Sequence, residues 1–211
     1  MTTTKVKAIY FDFDGVLTLD ATGSKTTCIY LSKATSIPFD EVMTAYRSFN
    51  KDMLLGEKSH ADIWGELGTM LQGKLEEQHL NESFESTPMN TDMLALARDL
   101  KEQGFKLGII TDNKKDRMEY LRAFHLLDHI FDTIVVSAEV GSNKHHRQIF
   151  DIALGKLHAA PHESIFIDNN EGNLVVPREI GMAGIYHDDQ ANDVEAIRRQ
   201  LKSLISEELF G

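Results

Sequence analysis

The segment A-I-Y-F-D-F-D-G-V-L, from Ala8 to Leu17, decides which fold and which chemistry this chain is expected to have. Its apolar start is typical of a buried strand, but the run closes on two carboxylates, Asp12 and Asp14, separated by one aromatic residue. On a continuing strand both acids would point to the same face and repel each other. We therefore predict that the strand ends at Asp12 and that a turn at Gly15 moves Asp14 to a different position.

Length and composition limit the possible classes of protein. With 211 residues, 42% of them hydrophobic and 26% charged, the chain is expected to form one large soluble domain, or one core with an insertion. The formal net charge of -11 argues against a nucleic-acid or membrane-surface partner, because phosphate groups would repel the protein. No apolar run approaches the roughly 20 residues that a membrane span needs.

Two further features bear on the cellular compartment. Cys28 is the only cysteine, so no internal disulfide can form, and we expect this side chain to be buried. The N-terminal sequence M-T-T-T-K-V-K lacks the apolar core of a signal peptide. Both features favour a cytoplasmic protein, which we expect to be a monomer or a homodimer.

The region from Thr26 to about Ser86 has apolar residues at helical spacing and no convincing strand. Two predicted helical faces consist of Phe39, Val42, Met43, Tyr46 and Phe49, and of Ile63, Trp64, Leu67 and Leu71. Pro38 suits the start of the helix that carries the first face. We predict a small helical module here.

The remainder of the chain, from Pro88 onward, alternates between predicted helices and predicted strands. Asn90 is expected to cap the first helix, and Val194 to Leu204 form the last one. The predicted strands run from Phe105 to Thr111, Thr133 to Ser137, Ser164 to Asp168 and Gly184 to His187. This order is typical of βαβ units on a parallel sheet, so the fold class is α/β and the helical module is an insertion.

Reactive side chains collect at the ends of the predicted strands and in one nearby loop. They are Asp12, Asp14, Thr111, Asp112, Asp168 and Asn169, together with Lys144 in the loop before the helix that contains Ile149. In open parallel sheets, ligands bind beyond the carboxyl ends of the strands. We therefore predict that these residues meet in one site.

Four segments resemble, in order, the four motifs of the haloacid dehalogenase-like (HAD) hydrolases. They are F-D-F-D-G-V-L, I-I-T-D-N, S-A-E-V-G-S-N-K and F-I-D-N-N-E-G-N-L, and the similarity extends from about residue 6 to residue 188. The resemblance implies a Rossmann-like parallel-sheet core, residues 1–17 and 88–211. It also implies an inserted α-helical cap domain, residues 18–87, as in the subfamily I phosphatases.

The first motif suits nucleophilic catalysis. A carboxylate can attack phosphorus and form an aspartyl-phosphate, which divides one very slow hydrolysis into two easier displacements. Asp12 is the candidate nucleophile. Asp14 is expected to protonate the leaving alcohol and then to take a proton from the attacking water.

The second and third motifs are expected to bind the substrate phosphoryl group. Thr111 would donate its hydroxyl, together with the neighbouring amides of Asp112 and Asn113. Lys144 would add a positive charge beside the phosphoryl oxygens and Asp12. Asp112 stands where relatives often have an asparagine, which adds a negative charge to the site.

A divalent cation is also expected, because two acids and a phosphate dianion cannot share a site without positive charge. Mg²⁺ is the cofactor that best fits a set of oxygen ligands. The resemblance implies that Asp12 supplies a carboxylate oxygen and Asp14 its main-chain carbonyl. Asn169 stands where many relatives have the main metal-binding aspartate, so either Asp168 or Asn169 could complete the metal site.

These residues favour a Mg²⁺-dependent phosphatase that acts on a small phosphorylated metabolite, for example a sugar phosphate. Asp14 argues for phosphoryl transfer over carbon–halogen cleavage, since the dehalogenases of this superfamily lack the second acid. Two alternatives remain open. One is a phosphomutase of the same family, and the other is a catalytically weakened relative that serves as a binding module, as Asn169 would suggest.

Overall fold

A five-stranded, all-parallel β-sheet forms the centre of the computed structural model, which describes residues 6–207. Its strands are β1 (Ala8–Phe11), β2 (Lys106–Thr111), β3 (Thr133–Val136), β4 (Ser164–Asp168) and β5 (Ala183–Tyr186). They lie in the order β3-β2-β1-β4-β5. The chain therefore builds one half of the sheet outward from β1 and then returns to build the other half. This reversal leaves a crevice at the carboxyl end of β1, where such sheets bind ligands.

The strands confirm the α/β prediction and differ from the predicted bounds only at their ends. The fourth strand was predicted correctly at both ends, whereas β2 begins one residue after Phe105 and β3 ends one residue before Ser137. The last strand is shifted by one residue relative to the predicted Gly184 to His187. Strand termini are set by pairing with neighbours, which the sequence of one strand does not contain.

Helices cover both faces of the sheet because alternate residues of each strand point to opposite sides. Ile9 and Phe11 belong to one apolar cluster, and Tyr10 belongs to the other. The helices of the core are α6 (Thr91–Glu102), α7 (Lys115–Phe124), α8 (Ser137–Val140), α9 (Arg147–Leu157), α10 (Val175–Glu179) and α11 (Val194–Glu207). Residues of α6, α7 and α11 pack in the first cluster, and those of α9 pack in the second. Near-continuous burial of the strands follows from this double cover.

Five helices lie between β1 and α6, and we call them the cap. They are α1 (Gly23–Thr35), α2 (Phe39–Arg47), α3 (Asn50–Leu54), α4 (His60–Met70) and α5 (Gln78–Glu85). The cap has its own apolar cluster, which includes Cys28 and both predicted helical faces. Cys28 is a free, buried cysteine, as predicted.

The chain leaves and re-enters the core at adjacent points. Thr18 and Met89 form an antiparallel bridge, and Leu19 N donates to Pro88 O at 2.8 Å. Asn90 caps α6 by accepting a hydrogen bond from the main chain of Met93, as predicted. The division into residues 18–87 and the rest of the chain stays a prediction, and this pairing lies close to its two boundaries.

The described helices also bear on the question of a membrane segment. None of those within residues 6–207 is long and apolar enough to cross a membrane. The prediction about a signal peptide rests in part on residues 1–5, which lie outside the described residues.

Replacing a buried leucine of α7 by alanine tests how much the packing of this helix against the sheet contributes to stability. Leu121 is fully buried, whereas Leu126, just past the end of the same helix, is 60% exposed. We expect Leu121→Ala to lower the free energy of unfolding by about 2–5 kcal/mol, because it leaves a cavity in the core. Leu126→Ala is the matched control and should change it by no more than about 0.5 kcal/mol. Urea denaturation of both variants measures the difference, and equal effects would contradict the packing described.

Candidate active site

The turn after β1 presents both acids of the first motif to one cavity. Asp12 directly follows the strand, and its main-chain N donates to Ile167 O of β4 at 2.8 Å. Its Oδ1 accepts a hydrogen bond of 2.7 Å from the main chain of Phe13. Gly15 has φ of +79°, and a Cβ there would stand 2.1 Å from the Asn169 amide nitrogen. Only glycine fits this turn, which brings Asp14 beside Asp12.

Lys144 joins the acids of two neighbouring strands. Its Nζ lies 2.8 Å from Asp12 Oδ2 and 2.7 Å from Asp168 Oδ2, and its side chain is 2% exposed. The main-chain N of Lys144 donates to Asp112 Oδ1 at 3.0 Å, which fixes the loop that carries the lysine. One ammonium group thus binds the residue after β1 and the last residue of β4.

Asp168 is held from several directions at once. Besides the ammonium group of Lys144, it accepts hydrogen bonds from the main chain of Asn170 at 2.8 Å and from the side-chain amide of Asn173 at 3.1 and 3.2 Å. Asp168 is fully buried, whereas Asn169 is partly exposed and lines the cavity. Of these two candidates for the metal, Asn169 is the one that faces the cavity, and Asp168 lies behind Lys144.

Burial and unbalanced charge shift the pKa values of this group. Burial raises the pKa of Asp12 to about 8, against the attraction of Lys144 and with added repulsion from Asp168 and Asp14. Burial alone would lower the pKa of Lys144, but Asp12, Asp168 and Asp112 outweigh it and raise this pKa above its usual range. Burial also raises the pKa of Asp112. The acids exceed the cations here, which leaves a deficit of positive charge.

A divalent cation could balance this deficit of positive charge if the surrounding residues offer suitable ligands. The donors at the cavity are the carboxylate of Asp12, the main-chain carbonyl of Asp14 and the amide oxygen of Asn169, with the carboxylate of Asp168 behind Lys144. All are oxygens, as Mg²⁺ requires, and a dication would offset the excess of carboxylates. Within residues 6–207, no group of three or more His, Cys, Asp or Glu side chains is arranged to hold a metal. A Mg²⁺ ion bound here would therefore need main-chain and amide oxygens beside the carboxylates.

Arg117 is a residue of this site that the sequence analysis did not identify. Its guanidinium group binds Asp14 through two hydrogen bonds, Nη2 to Oδ1 at 2.9 Å and Nη1 to Oδ2 at 3.0 Å. The side chain is fully buried in the first turns of α7. Its position four residues before Leu121, on the inward face of the helix, was the available signal. An arginine on a helix is usually exposed, so that signal was weak.

Asn113, which the sequence analysis expected to bind phosphate, contacts Asp14 and Ser137 in the structure. Its side-chain amide donates to Asp14 Oδ2 at 2.8 Å, and its carbonyl oxygen accepts from Arg117. Its main-chain N donates to Ser137 Oγ at 3.0 Å. The main-chain amide of Asn113 thus has a partner within the protein, and its side chain supports Asp14. The reason is the short loop after β2, which turns this side chain toward the first motif. Phosphate binding by Asn113 stays a prediction.

The cavity has a volume of about 650 Å³ and lies between the carboxyl edge of the sheet and the cap. The predicted site residues that line it are Asp12, Asp14, Thr111, Asp112, Lys144 and Asn169. The cap contributes Thr22, Gly23, Ser24, Arg47, Asn50 and Leu54. Lys114 also lines it, next to the first turn of α1. The structure thus brings most of the predicted residues together and adds a second wall from the cap.

A buried hydrogen-bond network fastens the cap to the core beside this cavity. Asp116 of α7 accepts hydrogen bonds from the main-chain N of His60 at 2.9 Å and from its Nδ1 at 2.8 Å. The other ring nitrogen of His60 lies 2.7 Å from the hydroxyl of Tyr46. Burial lowers the pKa of His60, even though Asp116 opposes this shift. The neutral ring then donates to Asp116 and accepts from Tyr46.

The family profile described as haloacid dehalogenase-like hydrolase matches residues 9–186. The mouse bifunctional epoxide hydrolase 2 is 26% identical over 212 residues, which cover 90% of this chain and 38% of that protein. The pyrophosphatase PpaX of a Bacillus cereus strain is 27% identical over 71% of this chain and 56% of its own length. The chain thus spans well under two thirds of these relatives.

Solved structures show the same fold. A HAD family enzyme from Bacteroides thetaiotaomicron, crystallised as a magnesium complex, has a TM-score of 0.74 and 18% identity, with 92% of this chain and 99% of that chain covered. A predicted HAD-like hydrolase from Porphyromonas gingivalis has a TM-score of 0.72 and 18% identity over 93% of this chain and 98% of its own. With the family profile spanning β1 to β5, the chain belongs to the haloacid dehalogenase-like hydrolases.

Proposed function

We propose that the protein is a Mg²⁺-dependent phosphatase that hydrolyses a small phosphorylated metabolite through an aspartyl-phosphate. The observation that carries this proposal is the Asp12 carboxylate in the cavity wall, 2.8 Å from the Lys144 ammonium and beside a second acid. Pyrophosphatase PpaX among the relatives, and magnesium and inorganic phosphate in complexes of the Bacteroides enzyme, support the same chemistry. Sugar phosphates are one substrate class that a polar cavity of about 650 Å³ can hold.

In the first step, a carboxylate oxygen of Asp12 attacks phosphorus, and the bond from phosphorus to the leaving oxygen breaks. Lys144 stabilises the phosphoryl oxygens, and Thr111 donates its hydroxyl to them. Asp14 gives a proton to the leaving oxygen, so the alcohol departs neutral. A Mg²⁺ ion held by Asp12, the Asp14 carbonyl and Asn169 or Asp168 would neutralise phosphoryl charge.

In the second step, water attacks the phosphorus of the aspartyl-phosphate. Asp14 takes a proton from this water, the acyl-phosphate bond breaks, and the Asp12 carboxylate is restored with release of inorganic phosphate. Arg117 and Asn113 hold both oxygens of Asp14, so they orient it for this proton transfer. The cap excludes bulk water from the cavity during both steps. A cytoplasmic location and a monomeric or homodimeric state remain part of the proposal.

Asp12→Asn tests the assignment of the nucleophile. The amide is a far weaker nucleophile than a carboxylate, so we expect Mg²⁺-dependent phosphate release from a panel of phosphorylated metabolites to fall to background. Asp151→Asn on α9 is the matched control, since Asp151 pairs with Arg147 on the surface and should leave release unchanged. Persistent activity in folded Asp12→Asn protein would contradict the nucleophile assignment.

Asn169→Asp tests the position of the metal. The added carboxylate faces the cavity beside the turn of Gly15, so we expect half-maximal activity at a lower Mg²⁺ concentration than in the wild type. Asn81→Asp is the matched control, because it adds the same negative charge at an exposed position in the cap, away from the cavity. A Mg²⁺ titration that Asn169→Asp does not shift would place the ion away from Asn169.

Arg117→Met tests whether Arg117 is a positioning residue. Without the guanidinium group Asp14 loses its fixed orientation, so we expect kcat to fall on the order of 10² while KM changes little. With acetyl phosphate, whose acetate leaves without needing a proton, the phosphorylated enzyme should then accumulate, as a mass increase of the protein would show, because only the water step depends on Asp14. Arg117→Lys should restore part of kcat, and Arg122→Met, on the same helix but partly exposed, should retain it. Loss of stability without accumulation would indicate a purely structural role.

A further inference from the structure

Lys114 places a buried positive charge on the cap side of the cavity without a carboxylate to balance it. The residue is 4% exposed, and its Nζ donates to Ser24 Oγ at 2.9 Å. The nearest ring, that of Tyr46, has its centroid 5.6 Å away. Among residues 6–207, no acid forms a salt bridge with this ammonium group. A buried ammonium group with only neutral partners is costly, so a site of this kind is completed by an anion.

The neighbouring charged groups do not provide that anion. Asp14 is bound by the guanidinium of Arg117, and Asp116 is bound by the two N–H groups of His60. Burial lowers the pKa of Lys114 to about 8, and repulsion from Arg117 contributes. The acids nearest to Lys114 are thus already paired with other groups.

Three further features add to this positive region. Arg47 of α2 lines the cavity and forms no salt bridge with any residue of the described chain. Asn50 accepts a hydrogen bond of 3.2 Å from Ser24 Oγ, which sets the position of the hydroxyl. The first turn of α1 faces the cavity at Gly23 and Ser24, and the free amides of a helix start attract anions.

This region lies directly beside the reacting groups. A Cβ on Gly23 would stand 2.9 Å from Asp14 Oδ2, so the start of α1 touches the proposed proton-transfer residue. Acids that line the cavity elsewhere, Asp112, Glu171 and Asp189, belong to the core. The cavity is therefore polarised, with its unpaired cations on the cap side.

We propose that Arg47, Lys114 and the first turn of α1 bind a second anionic group of the substrate, a carboxylate or a second phosphate close to the transferred phosphoryl group. Ser24 and Asn50 hold the ammonium group of Lys114 in position for it. This cap-side anion site rests on the proposed function, and it narrows the substrate class to phosphate esters that are also acids. The contact between α1 and Asp14 places the two anionic groups within one small substrate.

Matched compounds test the site by binding, without turnover. In the Asp12→Asn protein with Mg²⁺, calorimetry should show that 3-phosphoglycerate binds about tenfold to a hundredfold more tightly than glycerol 3-phosphate, which lacks the carboxylate. Glucose 1,6-bisphosphate against glucose 6-phosphate makes the same comparison for a second phosphate. Preference in either pair supports the site and identifies the anion it takes.

Variants assign this preference to the cap side. Adding Lys114→Met to the Asp12→Asn protein should remove most of the preference for the compound with the second anion. Adding Arg47→Met instead should reduce this preference, at an exposed position that tolerates substitution. Lys115→Met is the control, because the adjacent lysine is exposed and pairs with Glu119. Equal binding within both pairs, or a preference that survives Lys114→Met and Arg47→Met, would overturn the site. Failure of the proposed function would appear separately, as wild-type protein that releases no phosphate from the whole panel.

Discussion

The ammonium group of Lys144 is the interaction on which the site depends. It lies 2.8 Å from Asp12 and 2.7 Å from Asp168, two acids that follow or end neighbouring parallel strands. Without it, two buried carboxylates would face each other at the centre of the sheet edge, an arrangement that costs several kcal/mol per ion. Lys144 therefore allows a buried acid both after β1 and at the end of β4. Its single positive charge offsets only one of these two acids, so one negative charge is left for a cation to balance.

A second ion pair balances the charge of the other buried acid, Asp14. Arg117 binds both of its oxygens, and the first turn of the cap packs on the guanidinium group so closely that only Gly23 fits. The two acids of the first motif thus have separate cations, supplied by different parts of the core. Because a bidentate arginine fixes the plane of its carboxylate, Asp14 is held in one orientation, whereas Asp12 is held at one oxygen by Lys144 and at the other by the main chain of Phe13.

The sequence predicted the residues at strand ends better than those on helices. Asp12 and Thr111 were identified because parallel strands bring their carboxyl ends to one edge, a rule that needs no tertiary detail. Lys144, in a loop, was identified with the motif S-A-E-V-G-S-N-K. Arg117 lies in α7 and Lys114 directly before it, and both are buried only because the cap packs against that helix. Burial of this kind depends on residues distant in the chain, so the local pattern, Arg117 on the inward face of its helix, indicated it only weakly.

The cap contacts the core through the same few residues that organise the chemistry. His60 is held by Asp116, one position before Arg117, while Gly56 approaches Ala138 so closely that a Cβ would stand 2.1 Å from its carbonyl oxygen. A shift of the cap relative to α7 would therefore disturb the network around Asp14 as well as the cavity wall. In the proposed mechanism, substrate binding at the cap and proton transfer by Asp14 are therefore coupled, because Asp116, which holds His60, and Arg117, which holds Asp14, are adjacent in the first turn of α7.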